Sequence, residues 1–401
     1  MRHLRVPNRA VEDALEALRD RGWLAIGMRV IPDEDGDYRL VPLDPAAPIE
    51  MTNPLDAHQV VQHEGSMDQR VDTDWWNHLS LLVDKGVIEA FREDWPSSHE
   101  FISDMMVVRV EQNLAPYSSM IAEAKLRAHP HIRLVLNDEG VQGELRIRKL
   151  TPIGARVDEE IVTENIPESA CSTRVFVRES GRSIICDPNK AYFSTKLQSE
   201  RLETLDLSKE LRALLGRPIN VCDPFCGVGP ALATLLSEPE LVKHVLASDL
   251  NPEAISLLLD NLRRWDRREY PSVASPISRL YDDRFVGVAD ATRLREDDSL
   301  VGCWDMVIVN LPHRTIEFLP SLVPLLDMSS PSLVRGRVVV SEREIPHANE
   351  EIRRSLPELL PEFPQPSLKV KRDYSSTLRL CSFEAWIAPV SIDKDSTKKH
   401  L

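Results

Sequence analysis

Residues 221–230 read VCDPFCGVGP, and this stretch decides which fold the chain is expected to adopt. An apolar, strand-like run ends at Asp223, Gly227 and Gly229 follow, and the Ala/Leu-rich segment ALATLL comes next. Glycine in such a loop permits positive φ and lets the backbone approach a ligand closely. A strand, a glycine loop and a helix in this order predict a ligand site at the end of the strand.

The same rhythm of strand, loop and helix repeats from residue 218 onward. Strand and helix candidates alternate, which favours an α/β fold with a doubly wound, mostly parallel sheet. Ligands of such sheets bind beyond the carboxyl ends of the strands. The strand candidates are INVCD, HVLASDL, FVGVAD, WDMVIVNLP, GRVVVSE and CSFEAWIA, and the helix candidates are PALATLLSE, PEAISLLLDNLRRW, TIEFLPSLVPLL and ANEEIRRSLPELL.

Two smaller α+β blocks precede this domain. The first holds a helix, NRAVEDALEALRDRG, with Gly22 as its stop, and two strand candidates, WLAIGMRVI and YRLVPLD, around a turn. The second holds the strand candidates MMVVRV, IRLVLN, GELRIRKL and RVFVRE, with the helix candidate SSMIAEAKLRAH among them. We therefore predict domains at 1–60, 70–205 and 206–390, followed by a polar tail at 391–401.

Composition and charge narrow the class of protein. No apolar run reaches the roughly 18 residues of a membrane-spanning helix, and the N-terminus becomes charged too early for a signal peptide. Six scattered cysteines without a CxxC pair favour reduced thiols, so we expect a cytoplasmic protein without a zinc site or disulfides. The formal net charge is −15, yet residues 1–120 carry −11 and residues 121–201 carry +1. A polyanionic partner is therefore expected on the middle segment.

Acidic and amide residues end the strand candidates of the doubly wound domain. Asp223 ends the first, Asp249 the second and Asp290 the third, while Asn310 and Pro312 end the fourth. A carboxylate at the position of Asp249 can accept both ribose hydroxyls of an adenosine, and one at Asp290 suits an adenine amino group. Asp223 would repel a pyrophosphate. Together these residues suit S-adenosylmethionine, whose sulfonium and ammonium groups are positive.

Ordinary structural roles compete with these interpretations. Asp249 precedes an Asn-Pro pair and also reads as part of a helix N-cap, and Asp290 also reads as a turn residue. Cys222 and Cys226 fit a strand end and a loop as small apolar groups rather than as metal ligands. The order and spacing of the strand-end residues, taken jointly, favour the cofactor site.

Several motifs resemble those of the archaeal and eukaryotic tRNA (guanine-37 N1)-methyltransferases, namely DPFCGVGP, SDLNPEA and NLPHRTIEFL. ESGRSIICDPNKAYFSTKLQSER resembles the run that enters that family's catalytic domain, and HEFISDMMVVRV and GELRIRKL resemble its middle domain. The resemblance covers most of the chain. It implies a Rossmann-like class I methyltransferase domain preceded by two smaller α+β domains, and a kinship with the transferases of wyosine synthesis.

The resemblance also implies roles for individual residues. Glu200 would be the general base that removes the proton from guanine N1, giving 1-methylguanosine without a metal. Arg146, with Arg148 as the alternative, would steady charge on guanine O6. Asn310 would hold the base edge or the cofactor. The cofactor contacts predicted from the strand ends and the resemblance together are Arg201, Asp223, Gly227, Gly229, Asp249, Leu250, Asp290, Ala291, Asn310 and Pro312.

The implied partner is tRNA, bound at its anticodon stem-loop and, through the small first domain, at its outer corner, by a monomeric enzyme. Candidate phosphate contacts, which a solvated helix end explains equally well, are Lys125, Arg127, His129, His131 and Arg133. The segment 152–173 looks longer and more acidic than the family pattern.

Rival functions stay open at this point. They are aminocarboxypropyl transfer or methylation of a tricyclic precursor in the wyosine pathway, and tRNA binding without catalysis. A dinucleotide-dependent dehydrogenase is disfavoured, because Leu232 stands where a third glycine is needed.

Overall fold

The computed structural model describes residues 1–25, 27–33, 37–66, 75–143, 145, 147–375 and 377–390, except for the side chain of Arg9. The chain forms two compact units. The first comprises Met1–Glu139 with Leu150–Ser172, and the second comprises Gly140–Lys149 with the chain from Thr173 onward. The predicted tail at 391–401 lies outside the described residues, and the predicted domain boundaries stay predictions.

Alternating apolar residues build the first sheet, in which the strands follow the antiparallel order β2–β3–β1–β4. The predicted first helix is confirmed, and Gly22 follows it at φ +67°. The run WLAIGMRVI was expected to be one strand, and this is wrong: Gly27 interrupts it at φ +82°, and β2 is the part that pairs as a strand. The elements are β1 (Arg2–Pro7), α1 (Val11–Asp20), β2 (Ile31–Pro32), β3 (Tyr38–Pro42) and β4 (Gln59–Gln62).

A second sheet has the order β5–β6–β7–β8–β9, and its β6–β7 pair is parallel. The predicted helix after β6 is confirmed as α4, whose apolar face includes the fully buried Ile121 and Leu126. The elements are α2 (Trp75–Leu82), α3 (Lys85–Ala90), β5 (Glu100–Ile102), β6 (Met105–Val108), α4 (Ser118–Ala128), β7 (Leu134–Gln142), β8 (Ile147–Val157) and β9 (Glu160–Val162).

Lys125 is buried on α4, and the prediction that it contacts phosphate is wrong. Its Nζ lies 3.8 Å from the ring centroid of Trp75, which is also fully buried. A cation over an indole face inside a core is held by the ring's negative potential rather than by solvent. Arg133, another of those candidates, pairs with Asp104 at 2.9 Å.

The second unit contains the predicted doubly wound sheet, with the strand order β14–β15–β13–β12–β16–β17–β19–β18. Strands β15, β13, β12, β16 and β17 are parallel neighbours, and β14, β19 and β18 pair antiparallel. The chain winds from β12 toward β15 and then from β16 toward β17, so the order reverses between β12 and β16. Ligands bind at such a reversal point.

The predicted strands and helices of this unit are present, and three further strands, at Arg182–Cys186, Ser278–Tyr281 and Lys369–Asp373, were not predicted. All elements of the unit follow in chain order. They are β10 (Val175–Glu179), β11 (Arg182–Cys186), α5 (Gln198–Leu215), β12 (Ile219–Asp223), α6 (Pro230–Leu235), β13 (Val242–Asp249), α7 (Pro252–Asp266), β14 (Ser278–Tyr281), β15 (Arg284–Val288), β16 (Met306–Val309), α8 (Thr315–Leu322), β17 (Ser332–Ser341), α9 (Ile345–Arg354), β18 (Lys369–Asp373) and β19 (Leu378–Ile387).

Helices cover both faces of this sheet, because the strands are apolar on both sides. Along β12, Val221 packs into one core layer with residues of α7, and Cys222 packs into the other layer with residues of α8. Burial raises the pKa of the Cys222 thiol well above its usual range. Cys222 is therefore a core residue, as its apolar interpretation predicted.

The helices in the described ranges include none with the length and the apolar composition of a membrane-spanning segment.

One buried amide joins three elements around the first strand end. Asn261 of α7 is fully buried, and its Oδ1 accepts the backbone N–H of Ile185 at 2.7 Å. Its Nδ2 donates to the carbonyl oxygens of Ile185 and Val228, both at 2.9 Å. The hairpin β10–β11, the glycine loop and α7 are thereby tied together. Sequence reasoning treated Asn261 as an ordinary helix residue.

We expect Asn261→Ala to lower the free energy of unfolding by about 3 kcal/mol, because buried backbone groups would lose their partners. Urea titration measures the change. Asn77→Ala, at an exposed position of α2, is the control and should stay within about 0.5 kcal/mol of the wild type. Equal stability of the two variants would contradict the bridging role.

Candidate active site

One carboxylate, that of Asp249, hydrogen-bonds to the backbone of the glycine loop after β12. Gly227 and Gly229 have φ +53° and +85°, and a Cβ on Gly229 would lie 2.5 Å from Cδ1 of Leu258. Oδ2 of Asp249 accepts the backbone N–H of Gly227, and its Oδ1 accepts that of Asn251, both at 2.9 Å. The backbone N–H of Leu250 also bonds this carboxylate, and its two oxygens, with about four lone pairs between them, still leave one for a ligand hydroxyl.

Asp223 is buried at the end of β12, with 2% of its surface exposed. Burial raises the pKa of its carboxyl to about 7. The backbone N–H of Phe225 and the cation Arg337 oppose this rise, and the charge of Asp249 adds to it. Burial raises the pKa of Asp249 as well. Two carboxyls with raised pKa values at adjacent strand ends favour a positively charged ligand.

The other predicted cofactor residues lie at neighbouring strand ends. Leu250 follows β13 with 46% of its surface exposed, while Ala291 follows β15 and is buried. Oδ1 of Asp290 accepts hydrogen bonds from the backbone N–H of Thr292 at 2.9 Å and from its hydroxyl at 2.7 Å. Asp290 thus caps a short helical turn, as the competing interpretation proposed, and its exposed carboxylate still faces solvent.

The turn after β16 is fastened to β17. The carbonyl oxygen of Pro312 accepts the backbone N–H of Val339 at 2.8 Å. The hydroxyl of Thr315 donates to the carbonyl of Leu311 at 3.0 Å and closes the turn. Asn310 directly follows β16 and is half-buried. The fastened turn fixes the position of its side-chain amide next to the reversal point of the sheet.

Glu200 and Arg201 lie in the first turn of α5, and each has only 3% of its surface exposed. Arg201 forms a two-pronged ion pair with Glu179 of β10 at 2.6 and 2.7 Å, and it donates to the carbonyl of Ser194 at 2.8 Å. It therefore fixes the start of α5 to the hairpin β10–β11. Glu200 points to the other side, toward β17.

Arg337 of β17 joins Glu200 to Asn310, and sequence reasoning missed it. Its Nε donates to Oε2 of Glu200 at 2.8 Å, and its Nη1 donates to Oδ1 of Asn310 at 2.8 Å. Arg337 is 6% exposed. The signal was available as two arginines, Arg335 and Arg337, in the apolar run SLVRGRVVV, because charged residues are rarely buried without a partner.

The predicted residues thus fall into two groups within one unit. Glu200 and Asn310 are joined through Arg337, and the two carboxylates Asp223 and Asp249 flank the glycine loop. Strand β12, which ends at Asp223, pairs in parallel with β16, which leads into Asn310, so the two groups lie at adjacent strand ends. Arg146 lies outside the described residues.

A doubly wound sheet with carboxylates and a glycine loop at its reversal point is the arrangement expected of a class I methyltransferase domain. Residues 175–330 match the family described as the TRM5/TYW2 methyltransferase domain, and residues 79–154 match the TYW2 N-terminal domain. The chain therefore contains a TRM5/TYW2 methyltransferase domain at residues 175–330.

Named relatives agree with this assignment. The tRNA (guanine(37)-N(1))-methyltransferase Trm5b of Pyrococcus abyssi (strain GE5 / Orsay) is 27% identical over 242 residues, which cover 60% of this chain. The match spans 60% of that relative's length.

Solved structures share the fold. The crystal structure of wild-type Trm5b from Pyrococcus abyssi has a TM-score of 0.57 over 97% of this chain and 99% of that one, with 21% identity. The structure of aTrm5 in complex with tRNALeu has a TM-score of 0.56 over 96% of this chain and 99% of that one, with 18% identity. The similarity therefore extends over nearly the whole length of these chains.

We expect the stability of Asp223→Asn to respond to pH in a defined direction. The carboxyl's pKa rises from about 3.9 in the unfolded chain to about 7 in the folded one. Its stabilising contribution is therefore complete below pH 4 and is lost as pH rises through 7. The variant's advantage over the wild type should grow by about 2 to 3 kcal/mol between pH 5 and pH 8.

Urea titrations across that pH range measure this difference. Asp298→Asn, at an exposed position, corrects for the loss of one negative charge. An advantage for Asp223→Asn that does not vary with pH would contradict a neutral buried carboxyl.

Proposed function

We propose that this protein is an S-adenosylmethionine-dependent tRNA methyltransferase that methylates N1 of guanosine 37, next to the anticodon. The names of its relatives support the reaction and the substrate. The observation that carries the proposal is that Arg337 holds the buried Glu200 carboxylate and the half-buried Asn310 amide, at the strand end next to the one that leads into the glycine loop. It supplies a base and a hydrogen-bonding amide next to the cofactor end of the sheet.

The strand-end residues fit the cofactor. When bound, S-adenosylmethionine supplies an electrophilic methyl group on a positively charged sulfur. The carboxyl of Asp223 would face the cationic methionyl end, and Asp249 would accept a ribose hydroxyl with its remaining lone pair. The exposed Leu250 offers an apolar contact for the adenine, and Asp290 an acceptor for its amino group. Gly227 lets the backbone approach, since any side chain there would be strained at φ +53°.

Glu200 is the proposed general base. Guanine N1 keeps its proton at neutral pH, so its lone pair can attack only when that proton leaves. A carboxylate within hydrogen-bond reach of N1–H can take it in the transition state. Charge that develops on O6 then needs a donor, a role that we propose for Arg146.

The proposed substrate requires extrusion of the base. Position 37 is stacked in the anticodon loop, and a buried carboxylate cannot reach N1 unless the nucleotide turns out of the stack. The structure of aTrm5 with tRNALeu supports tRNA as the partner of this fold. Docking of the small first domain on the outer corner of the tRNA, a monomeric state and a cytoplasmic location remain part of the proposal.

Aminocarboxypropyl transfer from the same cofactor is the second candidate. The match of residues 79–154 to the TYW2 N-terminal domain favours it. The Asn-Leu-Pro turn at 310–312, followed by Glu317-Phe318-Leu319, favours methyl transfer instead. Nucleoside analysis of the product separates 1-methylguanosine from an aminocarboxypropyl adduct or a wyosine derivative.

We expect the purified protein to methylate a G37-containing tRNA transcript and to leave the G37→A transcript unmodified. Glu200→Gln should lower turnover by about 10²- to 10⁴-fold and retain cofactor binding, because it removes the base alone. Incorporation of label from the methyl group measures turnover, and calorimetry measures cofactor binding.

Glu203→Gln is the matched control on the same helix. Glu203 pairs with Arg335 at 2.8 Å and with Lys371 at 2.7 Å, not with the site. This variant should keep wild-type turnover. Full activity of Glu200→Gln would refute the assignment of the base, and wild-type protein that modifies neither transcript would refute the proposed function.

A further inference from the structure

Arg337 determines which atoms of the site face a substrate. Its guanidinium carries donors and no acceptor. The atom of Asn310 that lies 2.8 Å from Nη1 must therefore be the amide oxygen, and the NH₂ group must point away from Arg337. This removes the usual ambiguity between the two ends of an asparagine amide. Asn310 thus presents a donor rather than an acceptor.

The same guanidinium orients Glu200. The Nε–H of Arg337 donates a hydrogen bond to Oε2 of the Glu200 carboxylate at 2.8 Å. Within the described part of the chain, neither Oε1 of Glu200 nor Nδ2 of Asn310 has a hydrogen-bond partner. The guanidinium therefore leaves one acceptor, Oε1 of Glu200, and one donor, Nδ2 of Asn310, on residues 110 positions apart in the chain.

A donor beside an acceptor matches the edge of guanine. Guanine offers an acceptor at O6 next to donors at N1–H and the N2 amino group, whereas adenine offers a donor at N6 next to an acceptor at N1. Against adenine, the Asn310 NH₂ would meet another donor and Glu200 would meet a lone pair. Leaving buried polar groups unpaired in this way discriminates strongly between substrates.

We infer that Arg337 is a positioning residue that sets the preference for guanine, by locking Asn310 as a donor to O6 and Glu200 as the acceptor for N1–H. This inference rests on the proposed function and assigns its base specificity to one side chain on β17. Guanine O6 has two lone pairs, so a donor from Asn310 and one from Arg146 are compatible. Without Arg337 the side-chain amide of Asn310 can rotate by about 180°. Its oxygen could then face the substrate in place of the NH₂ group, and the donor–acceptor pattern that matches guanine would be lost.

Arg335 provides a matched control, because it lies two residues earlier on the same strand and is 3% exposed. It pairs with Glu203 at 2.8 Å and with Glu384 at 3.1 Å, away from Asn310. Replacing it removes an equally buried arginine from the same strand without touching the donor–acceptor pair. A merely structural role for Arg337 would give the two replacements the same phenotype.

The experiment compares Arg337→Met, Arg337→Lys and Arg335→Met in the full chain. Turnover is measured on the G37 transcript. Base preference is measured as a ratio of two constants. Its numerator is the inhibition constant of the G37→A transcript, and its denominator is the dissociation constant of the G37 transcript. Arg337→Met should lower kcat about 100-fold and lower that ratio about tenfold, with little change in cofactor affinity. Arg335→Met should lower Tm and leave the ratio unchanged.

Arg337→Lys keeps a cation beside Glu200, but a single ammonium does not reproduce the fork. It should preserve folding and still lose base preference, so the test survives if Arg337→Met does not fold. A wild-type ratio in both Arg337 variants, or an equal loss in Arg335→Met, overturns the inference while the proposed function stands. Absence of methylation by the wild type overturns both.

Discussion

Two buried arginines on β17 need neutralising partners, and this requirement holds α5 against the sheet. Arg335 forms an ion pair with Glu203, and Arg337 forms one with Glu200. Two carboxylates about one helical turn apart on α5 therefore face two cations at alternate positions of β17. Removing one partner of a buried ion pair costs about 3–5 kcal/mol, whereas an apolar replacement of the whole pair can be neutral. Stability alone therefore does not require these arginines, and the Arg337–Glu200 pair in particular fixes the first turn of α5, where Glu200 lies.

That placement matters because α5 is also fixed from its other side. Arg201 ties the first turn to Glu179 on β10, and Asn261 ties the hairpin β10–β11 to the glycine loop. Asn251 donates to the carbonyl of Lys190 at 2.7 Å and anchors the chain that leads into α5. Side chains on α5, α7, β10 and β17 thereby fix the position of Glu200 near the glycine loop. This placement supports the role of general base that we propose for Glu200, because a carboxylate held in position needs little reorganisation before a proton is transferred.

Much of the second unit could be predicted from the sequence, because its signals are local. Strand ends such as Asp223 and Asp249 follow directly from apolar runs and glycine spacing, and the doubly wound order follows from the β/α rhythm. Arg337 could not be placed, since its partner Glu200 lies 137 residues away and no local pattern pairs them. Lys125 was misjudged for a related reason: its burial depends on the ring of Trp75, 50 positions earlier.

The raised pKa of Asp223 has a consequence for the charge at this corner of the sheet. A buried carboxyl whose pKa lies near 7 can hold a proton when nothing positive is beside it. A cation that arrives there takes the proton's place, so the local charge is the same before and after loading. Partial protonation thus lowers the cost of burying this carboxyl, and binding of a positively charged ligand beside it would release part of that proton.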